Sequence, residues 1–364
     1  MKKILFVTPY PFNKAPSQRL KFEQYYSYLE ASGCGVDKRS FVNEKFWAII
    51  YKKGFLGKKI FYTLLGYFSR ILLLFRIRKY DVIYTHLWIT PFGPPVFEWL
   101  YCKLAKRMIY DIDDLVYLPG IKSDMNNIIS GLKGRNKPLF LMKHADHVIT
   151  CTPYLDAIVK KYNSNTTDIS STINTDTYRP KTDYIIKTEK VILGWSGSGS
   201  TTKHLRLLEP VLHRLKAQGV VFKVVVMGDA DFRIGGIEVE ALAWNESYEV
   251  EVIRQFDIGL YPLPDEQWVY GKSGLKALQY MAAGVPVIAT AIGTNFRIIE
   301  HNVNGFLAKT EDEWLYYLQQ LIDDEILRRR IGQKGAQVLE EKFSVNANRN
   351  TYLRIITESQ HSLQ

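Results

Sequence analysis

Short apolar runs punctuate the chain, separated by stretches with helical periodicity. In the first half the runs are ILFVT (4–8), DVIYTH (81–86), RMIYDID (107–113) and HVITC (147–151), and helices are predicted from Gln18 to Ala31 and from Phe97 to Lys106. Runs this short and this continuously apolar are the pattern of parallel strands buried on both faces. Their alternation with helices predicts a doubly wound α/β sheet. The second half repeats the grammar: VILGWS (191–196), FKVVVMG (222–228), VEVI (250–253), DIGLYPL (257–263) and VPVIATA (285–291) read as strands, with helices from Thr201 to Gln218 and from Lys272 to Ala283. Beyond Thr310 the pattern is helical, ending with a helix near Val345 to Ser359.

A chain of 364 residues exceeds one ordinary core. The polar stretch from Ser170 to Thr188, broken by Asp176, Arg179 and Pro180, is the expected boundary. Residues 1–175 then form an N-terminal domain and 185–342 a C-terminal domain, with a cleft between them and 343–364 as a final helix.

Composition narrows the partners. Apolar residues make up 46% and charged residues 23%, a soluble globular balance, and the formal charge of +11 calls for an anionic partner. Much of that charge lies in residues 44–79, where Lys45, Lys52, Lys53, Lys58, Lys59, Arg70, Arg76, Arg78 and Lys79 interleave with Phe, Ile, Leu and Trp, opposed only by Glu44. The most apolar part, Ile60 to Phe75, is too short to span a bilayer and contains Arg70. Its composition is that of an interfacial segment on an anionic membrane surface; the other reading is a pair of ordinary helices with snorkelling lysines. Nucleic acid is disfavoured, because no nucleic-acid-binding motif accompanies the basic residues. Cys34, Cys102 and Cys151 are odd in number and dispersed, which argues against a disulfide framework or a cysteine zinc site. The N-terminal MKKILFVTPYPF is interrupted by Pro9 and Pro11 and reads as a first strand rather than a signal peptide. The expected location is the cytoplasm, peripheral on the inner face of the cell membrane.

The segment YGKSGLKALQYMAAGVPVIAT (270–290) carries the most chemistry. Gly271 and Gly274 flank Lys272 and Ser273 where a helix is predicted to begin, so backbone N–H groups, the helix dipole and an ammonium could meet a phosphate, with Lys276 one turn later. The plain alternative is a glycine-bounded helix start with exposed lysines. Between a strand and a helix, Ser196, Gly197, Ser198, Gly199 and Ser200 offer hydroxyls and bare N–H groups suited to a diphosphate, or form merely a tight turn. Gly228 and Asp229 end a strand at the edge where ligands sit in open α/β sheets. His86 ends another strand, either touching substrate or serving as a satisfied structural residue. Asp111, Asp113 and Asp114 suggest a D-x-D metal motif, but they follow a strand in the other half from the phosphate signals. A structural or acceptor-contacting role is preferred for them.

These motifs resemble those of the family 4 glycosyltransferases. The run G-L-K-A-L-Q-Y-M-A-A-G-V-P-V-I from Gly274 to Ile288 is similar to the family's G-L-x-x-x-E-A-M-A-x-G-x-P-V-I, and Asn304-Gly305-Phe306-Leu307 to its N-G-F-L. Phe256 to Gly259, Pro262 to Asp265 and YDIDDL (110–115) resemble a bacterial surface-polysaccharide subgroup, while Thr8 to Pro11, Ser17 and Arg19 resemble the first loop facing the cleft. The resemblance implies the GT-B architecture: α/β, with two doubly wound Rossmann-like domains facing a central cleft and the C-terminal helix returning to the N-terminal domain. It implies a UDP- or GDP-linked sugar as donor and co-substrate, a glycan or lipid-linked hydroxyl as acceptor in cell-surface polysaccharide synthesis, retention of configuration, and no metal or further cofactor. Lys272, His86 and Glu266 are the expected catalytic residues. Ser196 to Ser200, Gly228, Asp229, Pro262, Asp265 and Gly271 to Gly274 are expected at the donor, and Ser17, Arg19, Asp111, Asp113 and Asp114 at the acceptor.

Two departures stand out. Where the family has two glutamates with seven residues between them, this chain has Gly271 and Gln279. Gln279 can still hydrogen-bond a ribose hydroxyl, though without charge assistance, and Asp265 or Glu266 would have to replace the first carboxylate. The rival reading is a degenerate protein that binds nucleotide or glycan without catalysis.

Overall fold

The computed structural model describes residues 1–115, 136–186 and 190–358. The chain divides into two compact units. One comprises Met1–Ser171, Tyr270–Ser273 and Asn348–Gln364, the other Thr172–Val269 and Gly274–Ala347.

The first unit carries a parallel sheet of β1 (Lys3–Thr8), β2 (Gly35–Ser40), β3 (Val82–His86), β4 (Met108–Asp111), β5 (His147–Thr150) and β6 (Thr166–Asp168), in spatial order β2-β1-β3-β4-β5-β6. Its helices are α1 (Pro16–Arg19), α2 (Tyr26–Ala31), α3 (Glu44–Ile50), α4 (Leu56–Leu74), α5 (Val96–Leu104), α6 (Asn136–His144) and α7 (Pro153–Val159). The inner strands are covered on both faces: Ile4, Leu5, Phe6 and Val7 of β1 are all buried, as are Ile83 and Tyr84 of β3. That double burial is why these strands read as continuous apolar runs.

The second unit repeats the plan with β7 (Val191–Ser196), β8 (Phe222–Met227), β9 (Val239–Leu242), β10 (Ile258–Tyr261), β11 (Val287–Thr290) and β12 (Phe306–Ala308), ordered β12-β11-β10-β7-β8-β9 and all parallel. Helices α8 (Glu209–Ala217), α9 (Glu249–Arg254), α10 (Leu275–Ala282), α11 (Asn295–Ile298), α12 (Glu311–Asp323) and α13 (Glu325–Val338) accompany it. The last helix, α14 (Val345–Thr357), belongs to the first unit from Asn348 onward. There Tyr352 stacks on Tyr25 with ring centroids 4.2 Å apart, and Tyr28 donates to Asn350.

Four predicted elements differ from those observed. The helix expected from Gln18 to Ala31 is broken into α1, a 3₁₀ turn at Glu23–Tyr25 and α2. Gln18 turns its amide onto the Tyr10 backbone and Glu23, and Glu23 accepts from the Asn13 N–H. This local network offers the chain an alternative to helix bonding. The helix expected from Thr201 is 3₁₀ over Thr202–Leu208 and becomes α-helical only at Glu209, where Pro210 fits the first turn and would disrupt a helix interior. VEVI is not a strand but lies in α9. The sheet position beside β8 is filled by Val239–Leu242, and Glu249 and Glu251 favour a helix start. Finally, α10 begins at Leu275 rather than Lys272. Gly274 is left-handed at φ 72°, which breaks the helix there, and a side chain on it would strike Ile298.

In each sheet the strand order reverses once: between β1 and β3 in the first, and between β7 and β10 in the second. Open α/β sheets bind ligands outside the carboxyl ends of their strands at such a reversal.

Candidate functional site

At the β7/β10 reversal, β7 runs into the loop Gly197–Thr201 and β10 into Pro262. Ser196 is buried, and its N–H donates to the hydroxyl of Tyr280 on α10, 2.9 Å away, so the loop leaves the sheet from a fixed point. Ser198, Gly199 and Ser200 are exposed, with the two serine hydroxyls 2.9 Å apart. The loop is braced against the end of β8. Thr202 donates to Asp229 at 2.7 Å, and Gly228, at φ 117°, lies so close to the Gly197 carbonyl that an added Cβ would sit 1.6 Å from its oxygen. Only glycine fits there.

Lys276, in the first turn of α10, extends over this reversal point. Its ammonium lies 5.0 Å from the Trp195 ring centroid and 5.4 Å from that of Tyr261, so it stands above the ends of both central strands. A cation, the amino end of α10 and a glycine–serine loop therefore share one strand edge, an arrangement that attracts an anion.

Further along α10, Gln279 is buried and its amide donates to the Tyr178 hydroxyl at 2.7 Å and to Glu249 Oε1 at 3.1 Å. Trp244 donates to the same carboxylate oxygen at 3.1 Å. A carboxylate absent from position 279 is thus present in space, carried by α9. Asp265 and Glu266 are exposed on the loop after β10, and Glu266 accepts from the Trp268 indole at 2.6 Å.

The other expected donor residues part company here. Gly271, Lys272 and Ser273 precede α10 and belong to the first unit. The Lys272 ammonium pairs with Asp114, Ser273 meets the Ser171 hydroxyl at 2.7 Å, the Gly271 carbonyl accepts from Cys151, and Gly271 packs against Leu115. Burial alone would lower the Lys272 pKa, but the Asp114 carboxylate outweighs it and holds the ammonium charged above its usual range.

At the β1/β3 reversal of the first unit, charge is buried. Lys21, almost wholly enclosed, pairs with Asp111, whose other oxygen accepts from Tyr84. His86 is completely buried, with Nδ1 3.5 Å from Asp111 and Nε2 4.0 Å from Asp113; neither ring nitrogen has a hydrogen-bond partner among the described residues. Burial would raise the Asp111 carboxyl, yet Lys21 brings it below the ordinary carboxylate range, whereas Asp113 is pushed up by burial. Ser17 and Arg19 lie half-buried on α1, just after β1. Among the described residues no group of three His, Cys, Asp or Glu side chains is placed to hold a metal ion. Lys21, Glu249 and Lys276 join the candidate residues from the structure. Nothing in the sequence pattern marks Lys21 or Glu249, while Lys276 stands in the glycine-bounded segment already singled out.

Residues 179–338 match the family of glycosyl transferases group 1. This segment contains Ser196 to Thr202, Gly228, Asp229, Glu249, Lys276 and Gln279. N-acetyl-alpha-D-glucosaminyl L-malate synthase of Bacillus anthracis is 36% identical over 72 residues, 19% of this chain and 19% of that protein. The chain matches about a fifth of the length of its curated relatives. Similarity to solved structures extends further. Sucrose-phosphate synthase of Thermosynechococcus elongatus aligns over 98% of both chains with a TM-score of 0.69 at 17% identity. Anabaena HepE in complex with UDP-glucose aligns over 98% of this chain and 99% of that one, with a TM-score of 0.69 at 16% identity. The fold is GT-B.

Proposed function

We propose that this protein is a glycosyltransferase that moves a sugar from a UDP- or GDP-linked donor to a hydroxyl of a glycan or lipid-linked acceptor, with retention of configuration and without a required metal. We assign it to cell-surface polysaccharide synthesis on the cytoplasmic side of the membrane. The observation that carries the reading is the convergence of Lys276, the amino end of α10 and the Gly197–Ser200 loop within the group 1 segment. The UDP-glucose complex of the structurally similar Anabaena protein supports a nucleotide-sugar donor.

In this reading the bond from the anomeric carbon to the diphosphate breaks, and a bond to the acceptor oxygen forms. Lys276 and the loop N–H groups stabilise the charge developing on the departing diphosphate. Gln279 and Glu249 together hold the ribose, the carboxylate supplying the charge that a lone amide lacks. The acceptor proton passes to the leaving phosphate. This spares a protein base and fits a His86 too deeply buried to reach a hydroxyl. Asp113, Ser17 and Arg19 serve the acceptor. Asp111 is already committed to Lys21 and Tyr84, so it is poorly disposed to ligate a cation. Asp265 or Glu266 takes the place of the first family glutamate at the sugar.

One observation favours the rival, a nucleotide-binding protein without transfer: Gly271, at the position of that glutamate, packs so tightly on Leu115 that a side chain has no room. Calorimetric titration with UDP and GDP, with and without Mg²⁺, tests both readings. Binding of one nucleotide independent of metal, weakened about tenfold or more in Lys276→Ala and little changed in Lys272→Ala, is expected. Binding without turnover of any nucleotide sugar would favour the rival; no binding of either nucleotide would reject both.

A further inference from the structure

Helix α4 turns its more apolar face outward. Its inward stripe is Tyr62, Gly66, Arg70 and Leu73, continued by Ile77. The outward stripe, at the same helical spacing, includes Phe61, Leu64, Phe68, Leu72 and Phe75, each between 50% and 82% exposed. A soluble helix ordinarily does the reverse. No helix among the described residues is long and apolar enough to cross a membrane.

The charge around this face is of one sign. From Lys45 to Tyr80 there is no Asp or Glu. Lys52, Lys53 and Lys58 lie exposed at or just before its amino end, and Arg76, Arg78 and Lys79 just beyond its carboxyl end. Arg70 takes no part in that surface: it is buried and donates to three backbone carbonyls, of Thr8 at 2.9 Å, Ile89 at 3.0 Å and Arg39 at 3.1 Å. These carbonyls lie at the end of β1, near the end of β2 and shortly after β3. One guanidinium therefore ties the carboxyl-terminal part of α4 to the strand edge that carries His86 and leads into Ser17 and Arg19.

We infer that the outward face of α4 is a membrane-docking surface that lies flat in the headgroup region of an anionic bilayer, its apolar stripe in the acyl boundary and its basic ends on lipid phosphates. Arg70 couples this anchor rigidly to the first unit's candidate acceptor edge. Docking itself does not depend on the transfer reaction and stands or falls separately from it.

Sedimentation of the full chain with vesicles tests it. The protein is expected to bind vesicles of phosphatidylcholine with phosphatidylglycerol about tenfold or more tightly than phosphatidylcholine alone, and to lose that preference at high salt. The variant Leu64→Ser/Phe68→Ser/Leu72→Ser is expected to lose binding to both while keeping the wild-type thermal midpoint, since the three side chains are exposed. Reversal to Glu at Lys52, Lys53, Lys58 and Lys59 removes only the preference for phosphatidylglycerol. Wild type that binds neither vesicle, or a triple variant that binds like wild type, overturns the inference. So does a wild-type dimer that the triple variant dissociates, which would give the face to a second copy of the chain.

Discussion

The two sheets share one plan, yet their reversal points are furnished in opposite ways. In the first unit Lys21, Asp111, Tyr84 and His86 are sealed beneath the surface, where charge is answered by charge. In the second the edge carries exposed serines, a glycine that only backbone can approach, and a lysine spread over two aromatic rings. The first arrangement fixes a shape, because buried ionic groups hold their geometry only while every partner is present. The second turns hydroxyls, glycine N–H groups and an ammonium toward the strand edge, the arrangement that the proposed diphosphate site calls for.

The contrast breaks most severely at Lys21. Lys21→Met strands the Asp111 carboxylate in the interior, and a loss of about 3–5 kcal/mol in denaturant unfolding is expected. Any folded fraction should still bind nucleotide, since the second unit is untouched. Gly228→Ala attacks the other edge, forcing a side chain into left-handed backbone against the Gly197 carbonyl. A cost of about 2–3 kcal/mol is expected, together with weakened nucleotide binding in the folded fraction. A smaller, sharper probe is Glu249→Gln, which keeps the shape of the Gln279 contact and removes its charge. Nucleotide affinity should fall about tenfold with stability nearly constant, whereas unchanged affinity would separate Glu249 from the ribose.

The smallest effect is a matter of pH. Asp111 has a lowered folded pKa, so its stabilisation is complete above the unfolded carboxylate value near 3.8 and is lost as pH falls through the lower folded one. Asp113 is raised, so its ionisation penalises the fold as pH climbs from 3.8 to its folded value. Asp113→Asn should therefore gain roughly 1 kcal/mol or less, absent below pH 3.8, building across that window and full above it. A gain that persisted at lower pH would rule out ionisation as its cause.

The sequence announced the inner strands clearly because their double burial leaves long apolar runs. It hid the edge strands β2 and β6, where GVDKRS and TTD are half-exposed and carry little pattern. VEVI misled because four alternating residues suit a strand or one turn of helix equally well, and only the pairing of Val239–Leu242 with β8 settles it. The run of glycines and serines after β7 was legible as a loop, and Gly228, whose positive φ and close approach to the Gly197 carbonyl admit no side chain, marks where β8 meets it. Lys21 stayed invisible: a lysine is ordinarily a surface residue, and its partner lies 90 positions away. Glu249 was hidden by the same prior, 30 positions from Gln279.

The four residues Tyr270–Ser273 sit in the first unit although the chain on either side of them belongs to the second. With the final helix, this makes the polypeptide pass between the units four times. The halves are thus not modules that a single crossover could exchange. A gene fusion that grafted a foreign second half at Thr172 would also import its counterpart of Lys272 and Ser273, and would have to match Asp114, Leu115, Cys151 and Ser171 in a partner it had never met. Those few side chains act as a lock on inheritance, favouring change by substitution within a lineage over the shuffling of halves between lineages.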